Sequence, residues 1–370
     1  MSTNSTPSTT ATLNPENPLL QPFSLKDQVV PFNLIQVAHY IPALEKAIEE
    51  AQAHIQKIKN QTVPTFENVI LALEQASEKV DRISTIYFNL FSAEASDAHQ
   101  ALAQEISMKL SAFLSDISLD EKIFQQIKSV YEQRQNLNLT GEDLKLTEKI
   151  YKDFSRNGAL LPHDKKEQLR QVDQELSHLS PLFSENVLKA TNAFELWISE
   201  PADLDGLPEG VREAAALAAE QKGQKGKWLF TLHGPSLIAF LTYASNRSLR
   251  EKIWKASASK AYHGTFDNSE TIKKIVTLKA QRAHLLGFKD YAEYILEERM
   301  ARSANNVFDF LAKLLGPAKK AAIQDLEDVK SFKKSLEGND EIKPWDFAYY
   351  SEKLKEQKYA FNEEELRPYF

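Results

Sequence analysis

Apolar positions recur at helical spacing along most of this chain. Leu44, Ile48, Ala51, Ile55 and Ile58 stand four and three residues apart, which is one face of a helix. Asn60 to Pro64 interrupts the pattern, and Thr65 is placed to cap a long second helix through Val69, Leu73, Ala76, Val80, Ile83, Tyr87 and Leu90. Ser96 or Asp97 opens a third, marked by Leu102, Ile106, Leu110, Phe113 and Ile117, and Asp120 opens a fourth through Ile123, Ile127 and Val130. Thr140 starts a fifth, which Asn157-Gly158 closes as a C-terminal stop. Short connections between such helices predict an antiparallel bundle.

The pattern changes after residue 158. Leu161-Pro162-His163-Asp164 begins a long helix whose buried face is Leu169, Val172, Leu176 and Leu179, with a kink expected at Pro181. Phe194 to Ile198 and Trp228 to Leu232 alternate as strands do, and an Ala- and Glu-rich helix near Val211 to Gln221 lies between them. The prediction is a small β-ribbon joined by that excursion. Helices follow at Leu237–Ala244, Leu249–Lys260, Ser269–Leu286 and Tyr291–Arg299, with Ser236 read as a cap. One or two more are expected over Asn305–Leu336, interrupted at Gly316-Pro317, before an aromatic tail from Pro344 to Phe370. No fixed internal period occurs, which disfavours a helical repeat array. The fold class is therefore mainly α, a multi-helix lobe with one small β-ribbon. The expected divisions are a disordered Ser/Thr/Pro/Asn leader at 1–20, a helical bundle at 21–158, the kinked helix with the first strand and the Ala/Glu-rich helix at 159–227, and a further helical region at 228–370.

Composition narrows the function more than the fold. A net charge of −7 and a pI near 5.7 give no electrostatic case for nucleic acid or an anionic membrane as partner. There are no cysteines, so disulfides, thiolate metal sites and cysteine nucleophiles are excluded together, which suits a cytoplasmic location. No apolar run has the length of a membrane span, and the N-terminus has neither the apolar stretch of a secretory signal nor the arginines of a transit peptide.

The eight histidines are scattered. None is followed by Glu and no two lie four apart, so the zinc signature H-E-x-x-H is absent. There is no G-x-S-x-G elbow and no phosphate-binding G-x-x-x-x-G-K-[ST] loop. The Lys222–Lys227 loop reads as solvated, Glu297-Glu298-Arg299 as a salt-bridged helix face, and Glu363-Glu364-Glu365 as the start of a short helix rather than a metal site. Asp346, between Trp345 and Phe347, reads either as a helix cap or as part of a groove. In the groove reading the hydroxyls of Tyr349 and Tyr350 face a bound peptide.

At this tail the chain resembles a known family. Pro344-Trp345-Asp346-x-Ala348-Tyr349-Tyr350, then Lys358-Tyr359, then Leu366-Arg367-Pro368-Tyr369-Phe370 is similar to the thimet-type zinc oligopeptidases, and among them to bacterial oligopeptidase A. Asn17-Pro18-Leu19-Leu20, Phe154-x-x-x-Gly158, Glu185-Asn186-Val187-Leu188, Trp228-Leu229-x-Thr231-Leu232-x-x-Pro235-Ser236, Leu286-Gly287-Phe288-x-x-Tyr291-Ala292 and Met300-Ala301 agree in the same order. The resemblance implies an elongated helical molecule of two lobes around a deep channel that admits short peptides. It also implies metal-assisted amide hydrolysis, with a zinc ion held by H-E-x-x-H and a downstream Glu. No catalytic residue and no metal ligand can be carried onto this chain. The expectation is therefore an N-terminal portion of such an enzyme, with 228–370 as the start of the peptidase domain, short of its metal site. Zinc belongs to the complete enzyme. The partners are short peptides and the missing C-terminal catalytic part, and Tyr349 and Tyr350 are the substrate-channel candidates. The alternative is a non-catalytic helical module that binds peptides or regulates.

Overall fold

A computed structural model of the chain describes residues 17–24, 26–94, 96–360 and 369. The described residues form two compact units, one of residues 1–182 with 275–291 and one of residues 183–274 with 292–370.

The first unit is a helical bundle. Its helices are α1 (Tyr40–Lys59), α2 (Ala72–Ala76), α3 (Glu78–Glu94), α4 (Asp97–Ser118), α5 (Glu121–Gln133), α6 (Gly141–Arg156) and the first part of α7 (His163–Ala193). The caps lie where the sequence puts them, because capping needs only neighbours within three residues. Thr65 accepts from the Asn68 N–H while Asn68 accepts from the Thr65 N–H, and Ser96, Asp120 and Thr140 accept from residues 99, 123 and 143. The core gathers the expected faces: Leu44, Val69, Ile83, Ile106, Phe113, Ile127 and Val130 are all buried. Burial of this apolar surface is the main favourable term in folding.

Four local expectations are corrected, the last of them at Ser236 in the second unit. The second helix is not one piece. A wide π-type turn, Phe66–Leu71, precedes α2, and Ser77 leaves helical backbone at φ −98°, ψ 2° before α3 begins. Residues 17–20, assigned to the leader, are docked. Leu19 is fully buried, the Asn17 side chain donates to the His39 carbonyl at 2.9 Å, and Arg82 donates to the Leu19 carbonyl at 3.1 Å. Residues 1–16 lie outside the described residues. Third, Gly316-Pro317 does not interrupt the helix there, as described below.

The second unit holds the rest of α7 and a two-stranded antiparallel sheet of β1 (Leu196–Ile198) and β2 (Trp228–Phe230), paired Leu196 to Phe230 and Ile198 to Trp228. The helix between the strands is α8 (Glu209–Gln221), the expected excursion. Then come α9 (Gly234–Tyr243), α10 (Arg247–Ala258), α11 (Ser269–Leu285, whose later residues belong to the first unit), α12 (Tyr291–Leu296), α13 (Ala304–Glu337) and α14 (Pro344–Tyr359). Ser236 is not the cap of α9. His233 stands there, and the Ser236 hydroxyl instead accepts from the Thr231 N–H at 3.0 Å, tying the end of β2 to the first turn. Helix α13 runs unbroken through Gly316-Pro317. Gly316 has no Cβ to clash with the proline ring, and the surrounding turns are exposed, so water can satisfy the freed carbonyl.

Gly158 is the tightest local requirement in the first unit. Its φ is +102°, and a Cβ there would meet Leu169 Cδ2 at 2.6 Å, Leu119 Cδ2 at 3.1 Å and Leu161 Cδ1 at 3.2 Å. Gly223 also has positive φ, but the space around it is open. Gly158→Ala is therefore expected to cost roughly 2–4 kcal/mol, from backbone strain plus overpacking, and Gly223→Ala about 1 kcal/mol. Urea denaturation of both variants checks the difference.

Candidate functional site

The residues singled out in the tail are organised by α14. Pro344 occupies the first turn, where its missing N–H costs nothing. Asp346 sits two residues further in, not at the cap. Its carboxylate reaches back to accept from the Lys343 N–H at 3.1 Å. The side chain is fully buried, so its charge needs more than a backbone partner.

Two arginines from the first turn of α10 supply that. Arg247 donates through Nε at 2.9 Å to Oδ1 and through Nη2 at 2.6 Å to Oδ2, while Arg250 Nη2 donates to Oδ1 at 3.1 Å. Arg250 is 1% exposed. Its Nε donates to the Trp345 carbonyl at 3.0 Å, and its Nη1 donates to the carbonyls of Ala244 at 2.7 Å and Ser245 at 3.1 Å. Its guanidinium lies 4.0 Å from the centroid of the Tyr349 ring. The turn offering those carbonyls is held in turn by Ser245, whose N–H donates to the Asp205 carbonyl at 2.8 Å. Gly206 packs against this turn so closely that a Cβ would lie 2.3 Å from the Tyr243 carbonyl oxygen.

Burial pushes the Asp346 carboxyl upward, but the hydrogen bonds from Arg247, the Lys343 N–H and Arg250 outweigh it and hold the group below the usual aspartate range. Both carboxylate oxygens are occupied by these donors, which makes Asp346 a structural anion. Tyr349 and Tyr350 are both buried, on α14. The Tyr350 hydroxyl donates to Glu337, whose other oxygen pairs with the ammonium of Lys333 at 3.1 Å; Lys333 is itself only 2% exposed. Burial and the Glu337 carboxylate push the Tyr350 hydroxyl far above its ordinary value, so it remains a donor. Burial also raises the Glu337 carboxyl, but hydrogen bonds from Tyr350 and Lys333 win and lower it. Trp345 is half-buried beside Trp254, with ring centroids 5.7 Å apart, and its indole N–H is buried with no acceptor among the described residues.

The arginines, Lys333 and Glu337 were not identified from the sequence. Arg247 and Arg250 lie 99 and 96 residues from Asp346, and nothing local links them. The available signal was the aspartate itself, because an acid flanked by large aromatic residues requires a cation. No group of three or more metal-ligating side chains stands together among the described residues. The chain's described residues therefore do not fit a zinc site. Glu363-Glu364-Glu365 lies outside the described residues.

Removing the anion leaves Arg250 buried and uncompensated, so Asp346→Ala is expected to cost about 3–5 kcal/mol in urea denaturation. A carboxyl with a lowered folded value contributes stability that is complete above about pH 4 and is lost as pH falls through the folded value. Asp346→Asn should therefore flatten the acid limb of a stability–pH curve. Trp345→Ala should cost less than a fully buried ring would, about 2–3 kcal/mol.

Residues 240–370, which contain this whole centre, match the model of Peptidase family M3. An oligopeptidase A of Haemophilus influenzae is 34% identical over 96% of the chain and 52% of its own length. A probable cytosolic oligopeptidase A of Arabidopsis thaliana is 32% identical over 96% of the chain and 51% of its own length. A dipeptidyl carboxypeptidase of Escherichia coli is 30% identical over 96% of the chain and 52% of its own length. The chain thus spans about half the length of the curated relatives it matches. With the Pro344-to-Tyr350 motif placed on one buried arginine–aspartate centre and the similarity running over nearly the whole chain, the chain belongs to the thimet-type oligopeptidases, peptidase family M3, together with the oligopeptidases A.

Proposed function

We propose that this chain is the N-terminal portion of an oligopeptidase A-like zinc metallopeptidase that hydrolyses short peptides in the cytoplasm. The observation that carries this reading is the match over 96% of the chain to relatives of twice its length, several of them named oligopeptidase A. The zinc ligands and general base would belong to the remaining half, since no H-E-x-x-H occurs in these 370 residues. This chain's own part is a scaffold. The Asp346–Arg250 centre fixes α14 on α10, and the buried Tyr349 and Tyr350 back the wall that α14 would present to a peptide channel.

A second observation supports the reading. The first half of α13 carries Phe308, Phe310, Leu311, Leu314 and Leu315, each about half exposed or more. Five large apolar side chains within eight residues of one helix are an unusual surface for a protein that works alone. They fit a helix that packs against further protein, such as the half of the relatives that this chain does not match.

The purified chain, supplied with zinc, is expected not to cleave a fluorogenic oligopeptide. Co-expression with the C-terminal half of an oligopeptidase A relative is expected to yield chelator-sensitive cleavage. Robust chelator-sensitive cleavage by the chain alone would overturn the assignment of the metal site to the other half.

A further inference from the structure

In the first unit, Lys166 is buried almost as deeply as Arg250 is in the second, but it is far less well partnered. It is 5% exposed, and the one partner it has among the described residues is Glu121, at 3.4 Å. Glu121 is itself 74% exposed, so that carboxylate is largely hydrated and offers a weak counter-charge. Lys166 also lies in the first turn of α7, where the helix dipole disfavours a cation. An ammonium has three donors, and here one long hydrogen bond is made. A buried charge left in this state is costly unless something else comes to it.

The surroundings show what could come. Two clefts, of about 730 and 510 Å³, meet at Lys166, Lys59, Lys122 and Glu121. In the larger, acidic and basic side chains balance. The smaller is cationic, because Lys128 joins the other three lysines against Glu121 alone. Lys59 is already paired with Asp120 at 2.6 Å, and Lys128 lies 3.7 Å from Glu132, which leaves Lys166 and Lys122 as the cations with most to gain. The same cleft is also lined by Leu160, which is 65% exposed, by the half-buried Leu161 and by the buried Phe124. The volume is that of a small-ligand site. Its lining combines leucine side chains with lysines.

We propose that this cleft binds a short acidic peptide, with a carboxylate on Lys166 and Lys122 and an apolar side chain on Leu160 and Leu161. The ligand replaces Glu121 as the partner of Lys166. A bare inorganic anion would use the lysines and leave the leucines wet. The site lies in the helical bundle, and its occupancy requires no catalysis, so it stands or falls separately from the peptidase reading.

Isothermal titration calorimetry of the full chain at low salt tests it. The probes are N-acetyl-Leu-Glu-Glu with a free C-terminal carboxylate, N-acetyl-Leu-Gln-Gln amide, and inorganic phosphate. The acidic peptide is expected to bind at least about tenfold more tightly than the neutral one and than phosphate. Lys166→Met keeps the buried stem and removes the charge; it should weaken the acidic peptide about tenfold or more while retaining cooperative unfolding in urea. Glu121→Gln removes the competing carboxylate and should tighten binding by about threefold, whereas a merely structural ion pair would give no gain. That variant keeps the test decisive if Lys166→Met fails to fold. The proposal is overturned if the wild-type chain binds no acidic peptide. It is equally overturned by unchanged binding in Lys166→Met, by weaker or unchanged binding in Glu121→Gln, or by phosphate binding as tightly as the peptide.

Discussion

A carboxylate buried with no access to water must be answered by cations, and in the second unit that requirement arranges everything around α14. Asp346 is fully enclosed, so α10 must bring its first turn to it. Arg250, once enclosed, has donors to spare, and they take the carbonyls of Ala244, Ser245 and Trp345. Those carbonyls fix the turn between α9 and α10 and the start of α14 at once. The close approach at Gly206 and the Ser245–Asp205 hydrogen bond follow from the same turn. A planar guanidinium suits this task because its fork satisfies several acceptors in set directions, which a lysine could not do. Replacing the pair with hydrocarbon could be as stable, but it would not specify the angle at which α14 leaves the turn.

Arg250 and Lys166 make a useful contrast. Both are cations with almost no exposure, and both stand in the first turn of a helix, where the dipole opposes them. Arg250 has an equally buried anion, three carbonyls and an aromatic face. Lys166 has one exposed glutamate at 3.4 Å. Since evolution and chemistry permit the first arrangement in the same chain, the second is not explained by folding alone. Its difference lies in the open cleft beside it.

Much of the fold was legible because helices are specified locally. The caps at Thr65, Ser96, Asp120 and Thr140 and the stop at Gly158 depend on residues within a turn or two, and each was readable from spacing. The strands at Leu196 and Trp228 were readable from alternation. The misplacements share a cause. The Ser236 hydroxyl can serve as a cap, but Gly234-Pro235 already fill the first turn and the hydroxyl turns back to Thr231. Proline removes a donor, which predicts a break at Gly316-Pro317, but an exposed turn after a glycine tolerates the loss. Asp346 stands out in the sequence and its partners do not, since the arginines lie nearly a hundred residues away.

The two halves of the α13 surface show how far this chain accounts for itself. Near its C-terminal end, Val329, Phe332 and Lys333 are buried against the Tyr349 and Tyr350 side of α14, so that part is complete. Toward its N-terminal end the same helix turns Phe308, Leu311 and Leu315 outward at spacings of three and four, a stripe of the kind that the first unit buries in its core. A single helix with one end satisfied and the other bare is ordered by the first and available at the second. The arginine–aspartate centre therefore does more than hold α14. By fixing α14, it fixes the helix packed on it, and so sets the direction in which the bare stripe is presented.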